Sequence, residues 1–317
     1  MAAHINEVKK NMAKHLLHLI SKTSENLRMM EVNDHFELSH VLGDGSYGKV
    51  LMSKHKLSGL MVAVKMLAKK KTPADNFLLE YSISHTLSCH PHIIRTHEIA
   101  FHTNRDFVFV QEVAPAGTLQ SIMKPKVGMP EDMLKRCAPQ IASALDFIHN
   151  RGLVHRDIKP NNILLMDPEC HCIKLADFGL TRLQGTNVPS VSWYKPYTAP
   201  ELCSLRKEKQ LLLHPSLDLW AFGILVYTAL TGVFPWYGAV GSDQKYKEFA
   251  WWQVKKDPSN APEMWKKISV EARGMFWELL ALDASERCSA MDILKYIHLP
   301  WNAEVASEPM MRNTSIL

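Results

Sequence analysis

No apolar run in this 317-residue chain is long enough to cross a bilayer; the longest, around Leu219 to Leu230, is short and interrupted. Met1 to Lys10 is polar and charged, without the apolar stretch of a secretory leader. A soluble, cytoplasmic protein with no membrane span is expected. Cysteine is sparse and unframed: Cys89, Cys137, Cys170, Cys172, Cys203 and Cys288 have no paired spacing. Cys170-His171-Cys172 has no second ligand pair at a zinc-finger distance, so free thiols in a reducing compartment are expected. Charge of one sign is also lacking. The formal balance is +5 and the lysines are scattered, with Lys69-Lys70-Lys71 reading as a solvated loop. Without a basic stripe, nucleic-acid binding is excluded as an expectation. Internal repeats and low-complexity tracts are missing as well.

What is present is apolar material for real cores, 46% of residues, enough for one large or two modest domains. Residues 1–35 read as a helical extension, with Ile5, Val8, Met12, Leu16, Leu19 and Ile20 able to share one face. From Phe36 the pattern turns to short strands, Phe36 to Leu42, Lys49 to Lys54, Met61 to Leu67 and Phe107 to Val113, interrupted by a helix around Asn76 to Leu87. From about Gly117 helices dominate, Met133 to Asn150 and Leu217 to Thr231 being the clearest. The fold class expected is α+β and bilobal: a small β-rich lobe over 36–113 and a larger helical lobe over 118–300, followed by a short tail, 301–317.

The chemistry concentrates in two runs. His155-Arg156-Asp157-Ile158-Lys159-Pro160-Asn161-Asn162 brings together a carboxylate, a lysine and an asparagine, and Asp177-Phe178-Gly179 follows. Together these are groups that transfer a phosphoryl from ATP to a hydroxyl. Asp157 orients the acceptor hydroxyl and takes its proton, Lys159 neutralises the transferring phosphoryl, and Asn162 and Asp177 hold Mg2+. His155 reads as a structural bridge, and Arg156 as a receiver of phosphate from the later segment. Upstream, Gly43-Asp44-Gly45-Ser46-Tyr47-Gly48-Lys49-Val50, with Leu42 before it, has the form of a phosphate-covering loop, glycine allowing close approach of main-chain amides. Such a triplet also occurs in dinucleotide-binding oxidoreductases. Here it joins two strands rather than a strand and a helix, and that rival leaves 155–179 unexplained. The next strand, Val62-Ala63-Val64-Lys65, pins a lysine for the phosphates, with Ala63 leaving room for adenine. Glu80 is the helix-borne acid that orients Lys65. Ala199-Pro200-Glu201 needs a buried cation for its carboxylate, supplied by Arg287, and Asp218 ties down the Asp157 loop from beneath.

With this set in order the chain resembles the eukaryotic protein kinases over roughly 36–300, Lys159 matching the serine/threonine type. The stretches Asn76 to Ser84, Gln111 to Gly117 and Pro196 to Glu201 are similar to the SBK kinases, named for binding Src-homology-3 domains. The resemblance implies Gln111 at the gatekeeper position, Glu112 to Ala114 as the adenine-bonding hinge, ATP and Mg2+ as cofactors, and a protein Ser/Thr hydroxyl as acceptor. It also implies phosphorylation of the activation segment, by an upstream kinase or by the chain itself, at Thr186, Ser190 or Ser192. Three departures stand out. No P-x-x-P occurs, so the Src-homology-3 ligand has no counterpart here. Thr118, Asn161 and Thr228 are uncharged where arginine-selecting kinases carry acids. Trp193 and Tyr194 replace a small Gly-Thr pair at the substrate floor, which opens an alternative reading as a nucleotide-binding pseudokinase scaffold.

Overall fold

The computed structural model describes residues 2–45, 48–189, 196–206, 208–255 and 260–303. Ser46, Tyr47, Ser190, Ser192, Trp193 and Tyr194 lie outside the described residues. A long helix, α1 (Ala2–Asn26), and a single turn, α2 (Val32–His35), precede five antiparallel strands: β1 (Phe36–Asp44), β2 (Gly48–His55), β3 (Met61–Ala68), β4 (Thr96–His102) and β5 (Asp106–Gln111). They order as β1-β2-β3-β5-β4, and α3 (Ala74–Leu87) is inserted between β3 and β4 in the chain.

Strand alternation decides which side chains meet the helix. Val62 and Val64 of β3 join Val108 and Val110 of β5 on one face, with Phe36 and Phe101. Leu67, Phe107 and Phe109 lie on the other and receive Phe77, Leu78 and Tyr81 of α3. Lys65 and Ala63 therefore share the face that looks toward α3 and the cleft. β4 is not legible in the strand pattern, because Thr96-His97-Glu98 breaks the apolar alternation and the pairing with β5 shifts register between Thr96 and Ala100.

The second lobe follows as α4 (Leu119–Ile122), α5 (Glu131–His149), β6 (Leu153–Val154), β7 (Ile163–Leu165), β8 (Ile173–Leu175), β9 (Arg182–Leu183), β10 (Asn187–Pro189), α6 (Pro200–Cys203), β11 (Gln210–Leu212), α7 (Ser216–Thr231), α8 (Gln244–Lys255) and α9 (Val270–Leu279). β6 pairs with β9, β7 with β8 and β10 with β11. The apolar run noticed at Leu219 to Leu230 lies within α7, which is buried nearly all round as the hub of this lobe. Among the described residues no helix is long and apolar enough to cross a membrane. Trp220, Trp236, Trp252, Trp265 and Trp301 are all buried. Trp301 and Asn302 donate their main-chain N–H groups to the two Glu131 oxygens at 2.9 and 2.8 Å, which anchors the end of the lobe to the start of α5.

α1 braces the back of α3. Leu16 is buried with Ile83 and Leu87 of α3, and Ile20 and Leu27 pack against the cluster of Phe77 and Phe107. At its other end Lys9 lies against Gly152, whose φ of +70° and missing Cβ make room for the lysine stem. The helix thus touches both lobes.

Candidate active site

Lys65, held straight by its neighbours on β3, points its ammonium at Glu80 Oε1 (2.6 Å) and Asp177 Oδ1 (3.1 Å). Burial works against the charge on this ammonium, but Glu80 and then Asp177 outweigh it, so the pKa is raised and Lys65 stays cationic. In return the Lys65 ammonium holds the Asp177 carboxyl below the usual carboxylate range, against the opposing effect of burial. Glu80 sits mid-helix in α3 and is itself buried, which suits an acid whose task is to aim a cation.

Across the cleft, Asp157 Oδ2 accepts from Lys159 Nζ at 2.6 Å and from Asn162 Nδ2 at 2.9 Å. Its other oxygen, Oδ1, carries no bond among the described residues. Asn162 Nδ2 also reaches Asp157 O at 2.8 Å, which turns the amide oxygen away from Asp157. Ala176 N donates to Asn162 O at 2.9 Å, setting the Asn162 turn beside the strand that leads into Asp177. An amide oxygen and a carboxylate so placed are the hard oxygen donors that magnesium takes, so the residues present fit the ion.

The loop bearing Asp157 is held from beneath. Asp218, at the start of α7 and fully buried, accepts from His155 N (2.7 Å), Arg156 N (2.8 Å) and His149 Nε2 (2.9 Å). These bonds keep Arg156 at a φ of +71°, a left-handed conformation that a branchless L-residue adopts only at a cost of about 1 kcal/mol. Burial opposes the Asp218 charge, yet the His149 bond and the nearby imidazoles keep its carboxyl below the usual range. His155 is a bridge, as its position in the motif suggests: Nδ1 accepts from Asp157 N and Nε2 donates to Ala176 O, both at 3.2 Å, and Phe178 packs edge-on at 5.1 Å. Burial pushes its imidazole below the ordinary histidine range, so it is neutral. Glu201 and Arg287 form the fork expected of them, at 2.7 and 2.8 Å, with the guanidinium over the Trp220 ring.

Of the remaining nucleotide-side residues, Leu42, Gly43 and Asp44 end β1, Gly45 lies in the turn, and Gly48, Lys49 and Val50 open β2. Ser46 and Tyr47 lie outside the described residues. Gly45 N donates to Gly48 O at 2.9 Å. Gly48 is a glycine for a reason besides phosphate access: a Cβ there would stand 1.9 Å from Met66 O on β3. Ala63 pairs with Gln111 across β3 and β5. Glu112 commits its carboxylate to Arg95 N (2.7 Å) and Lys174 Nζ (3.0 Å).

Sequence reasoning passed over Arg182. Its guanidinium lies near that of Arg156, and burial followed by their mutual repulsion lowers the pKa of Arg156. Arg156 donates to Leu180 O, and Arg182 to Gly179 O and Thr181 O. Neither is ion-paired to a carboxylate among the described residues. The signal in the sequence was an arginine four residues after Phe178; the structure adds that its strand pairs with the one preceding His155.

The protein kinase domain family model matches residues 36–299. Serine/threonine-protein kinase SBK1 of Danio rerio is 47% identical over 279 residues, covering 88% of this chain and 72% of that protein. SBK1 of Mus musculus is 43% identical over 290 residues, covering 92% and 69%. Serine/threonine-protein kinase SBK2 of Homo sapiens is 36% identical over 291 residues, covering 91% and 84%. None of these comparisons favours the pseudokinase alternative, and the residues that prompted it, Trp193 and Tyr194, lie outside the described ones.

Proposed function

Given that this chain belongs to the protein kinase family and is a serine/threonine protein kinase, we propose that Lys65, Glu80, Asp157, Lys159, Asn162 and Asp177 carry out the transfer, within a domain spanning 36–300. The carrying observation is the Lys65 ammonium held between Glu80 and Asp177. That geometry presents a fixed cation to the α- and β-phosphates of ATP, while Ala63 and the main chain over Glu112 to Ala114 receive adenine. The run from Leu42 to Val50, which includes Ser46 and Tyr47 in sequence, covers the phosphates.

Magnesium, when bound, would neutralise the triphosphate and screen it from the incoming hydroxyl. Asn162 and Asp177 are the residues that would hold it. Asp157, with Oδ2 committed to Lys159 and Asn162, offers Oδ1 to the acceptor hydroxyl, orienting it and taking its proton as the oxygen bonds the γ-phosphorus and the bond from that phosphorus to the bridging oxygen breaks, releasing ADP. Lys159 lies against the same carboxylate, where its charge can meet the transferring phosphoryl. Positioning and charge neutralisation supply most of the acceleration.

Arg156 and Arg182 receive a phosphate placed on the activation segment, by an upstream kinase or by the chain itself. Acceptors are proteins not selected by arginine, since Thr118, Asn161 and Thr228 bring no acid to the site, and the enzyme acts in the cytoplasm. The test is phosphate transfer from Mg-ATP, read by mass spectrometry on the protein and on a mixed peptide library, with Asp157→Asn in parallel. Transfer on Ser or Thr that disappears in the variant is expected. Equal transfer by both proteins would remove Asp157 from its role.

A further inference from the structure

α3 carries Glu80, so whatever fixes the axial position of α3 decides whether Lys65 has its partner. One turn beyond Glu80 on the same helix face, about 6 Å along the axis, stands Ser84. It is buried, and its neighbours are polar. Ser84 Oγ lies 2.6 Å from Thr96 Oγ1 at the start of β4. Gln111, the last residue of β5, donates through Nε2 to both hydroxyls, at 3.2 Å to Ser84 and 3.1 Å to Thr96. A turn further on, Ser88 Oγ donates to Ser84 O and accepts from Thr96 N, both at 2.8 Å. Ser84, Thr96 and Gln111 are 1%, 3% and 9% exposed, so this is a buried network rather than a solvated one.

Gln111 has its Cα partner in Ala63 and shares a strand face with Phe109, over which the Lys65 ammonium lies at 5.7 Å. Its stem therefore borders the nucleotide cleft while its amide reaches backward to the helix. Apolar contacts at such a place would let α3 slide by fractions of a turn at little cost. Hydrogen bonds do not, because they are directional and, when buried, expensive to leave unmade.

We propose that Gln111, through Ser84 and Thr96, is a positioning residue for phosphoryl transfer: it locks α3 at the height where Glu80 meets Lys65. The inference rests on the reading of Glu80 as the acid that orients Lys65. Helix α3 is thereby tied to the inner wall of the cleft by polar bonds at the level of Ser84, and braced by α1 from behind.

The test uses the full chain and three variants, Gln111→Leu, Thr96→Val and the triple apolar Ser84→Ala/Thr96→Val/Gln111→Leu, with Glu80→Gln as control. Steady-state transfer from Mg-ATP and amide hydrogen exchange along the chain are measured on each. Gln111→Leu removes two donated bonds and should lower kcat about tenfold, with faster exchange over 80–88 and unchanged exchange over 131–149 and 216–231. Thr96→Val keeps the shape of the side chain and leaves the cleft wall intact. It should reproduce both effects at severalfold size. The triple variant, left with apolar contacts only, should keep kcat at least as low as Gln111→Leu and retain the faster exchange over 80–88. Normal kcat and normal α3 exchange in Thr96→Val would overturn the proposal and leave Gln111 as a wall of the pocket only, even if Gln111→Leu unfolds. If Glu80→Gln itself keeps full activity, the underlying reading of Glu80 is what fails.

Discussion

Replacing Asp218 tests whether the Asp157 loop is held by tertiary bonds rather than by its own sequence. Its carboxylate is 1% exposed and accepts from two main-chain N–H groups and one imidazole. Asp218→Ala strands the His155 and Arg156 amides in a buried site, at about 1–3 kcal/mol each, and removes what keeps Arg156 at a positive φ. A total of roughly 4 kcal/mol is large against a typical stability of about 5–15 kcal/mol, so the alanine form should be poorly folded. Asp218→Asn is the more informative variant. Its one amide oxygen can accept one N–H, while its NH2 faces a second donor, so about half the penalty, roughly 2 kcal/mol, remains. Asp157 then loses its fixed position while Lys65, Glu80 and the β1–β2 turn are untouched. The expected result is kcat lowered at least about tenfold, since small misplacements of a reacting group are costly, with KM for ATP within about threefold. Urea denaturation gives the stability and steady-state kinetics the split. A kcat within about twofold of the parent, in a variant destabilised as calculated, would refute the claim that Asp218 positions Asp157.

Glu201→Gln leaves the buried Arg287 guanidinium without its anion and should cost about 3–5 kcal/mol; a urea midpoint unchanged from the parent would contradict this. Acid should act in two stages. His155 is buried with a depressed pKa, so the unfolded chain takes up a proton below about pH 6.5 that the folded chain refuses. Stability is then fully present above that value and falls with pH by up to about 1.4 kcal/mol per unit for such a group. Asp177 and Asp218, both depressed, hold their contribution above about pH 3.9 and lose it as pH falls through their folded values. Denaturation midpoints that stay flat from pH 7.5 to 5.5 would exclude the first stage. Leu16→Ala opens a gap between α1 and α3 worth about 2 kcal/mol, whereas Leu17→Ala, at a 67% exposed position, should be neutral; equal melting temperatures for the two would show that α1 does not brace α3.

Much of the site was legible because its chemistry is local in the chain. Asp157, Lys159 and Asn162 lie within six residues, and Asp177 follows at one loop's distance, so their association needs little folding to become visible. Glu201 with Arg287, and Asp218 with its loop, were legible by another route: a carboxylate among apolar residues needs a partner, and few candidates exist. Strand β4 was obscured by His97 and Glu98, whose side chains are tolerated at a bulge. The role of Gly48 was half visible, since its loop suggested phosphate while its Cβ clash is with the chain's own β3.

The sequence by itself determined the reaction class and pointed to the groups proposed to perform it, because a phosphoryl transfer demands particular residue types at particular short spacings. It also determined the two-lobe order, since strand-type runs cluster between Phe36 and Val113 and helical periodicity dominates from about Gly117. Tertiary structure alone decided how those groups are aimed. Ser84, Thr96 and Gln111 come from a helix and two strands and are unremarkable residues one at a time. Burial and hydrogen-bond geometry make them a network, and both exist only after the sheet, α3 and α1 have packed together.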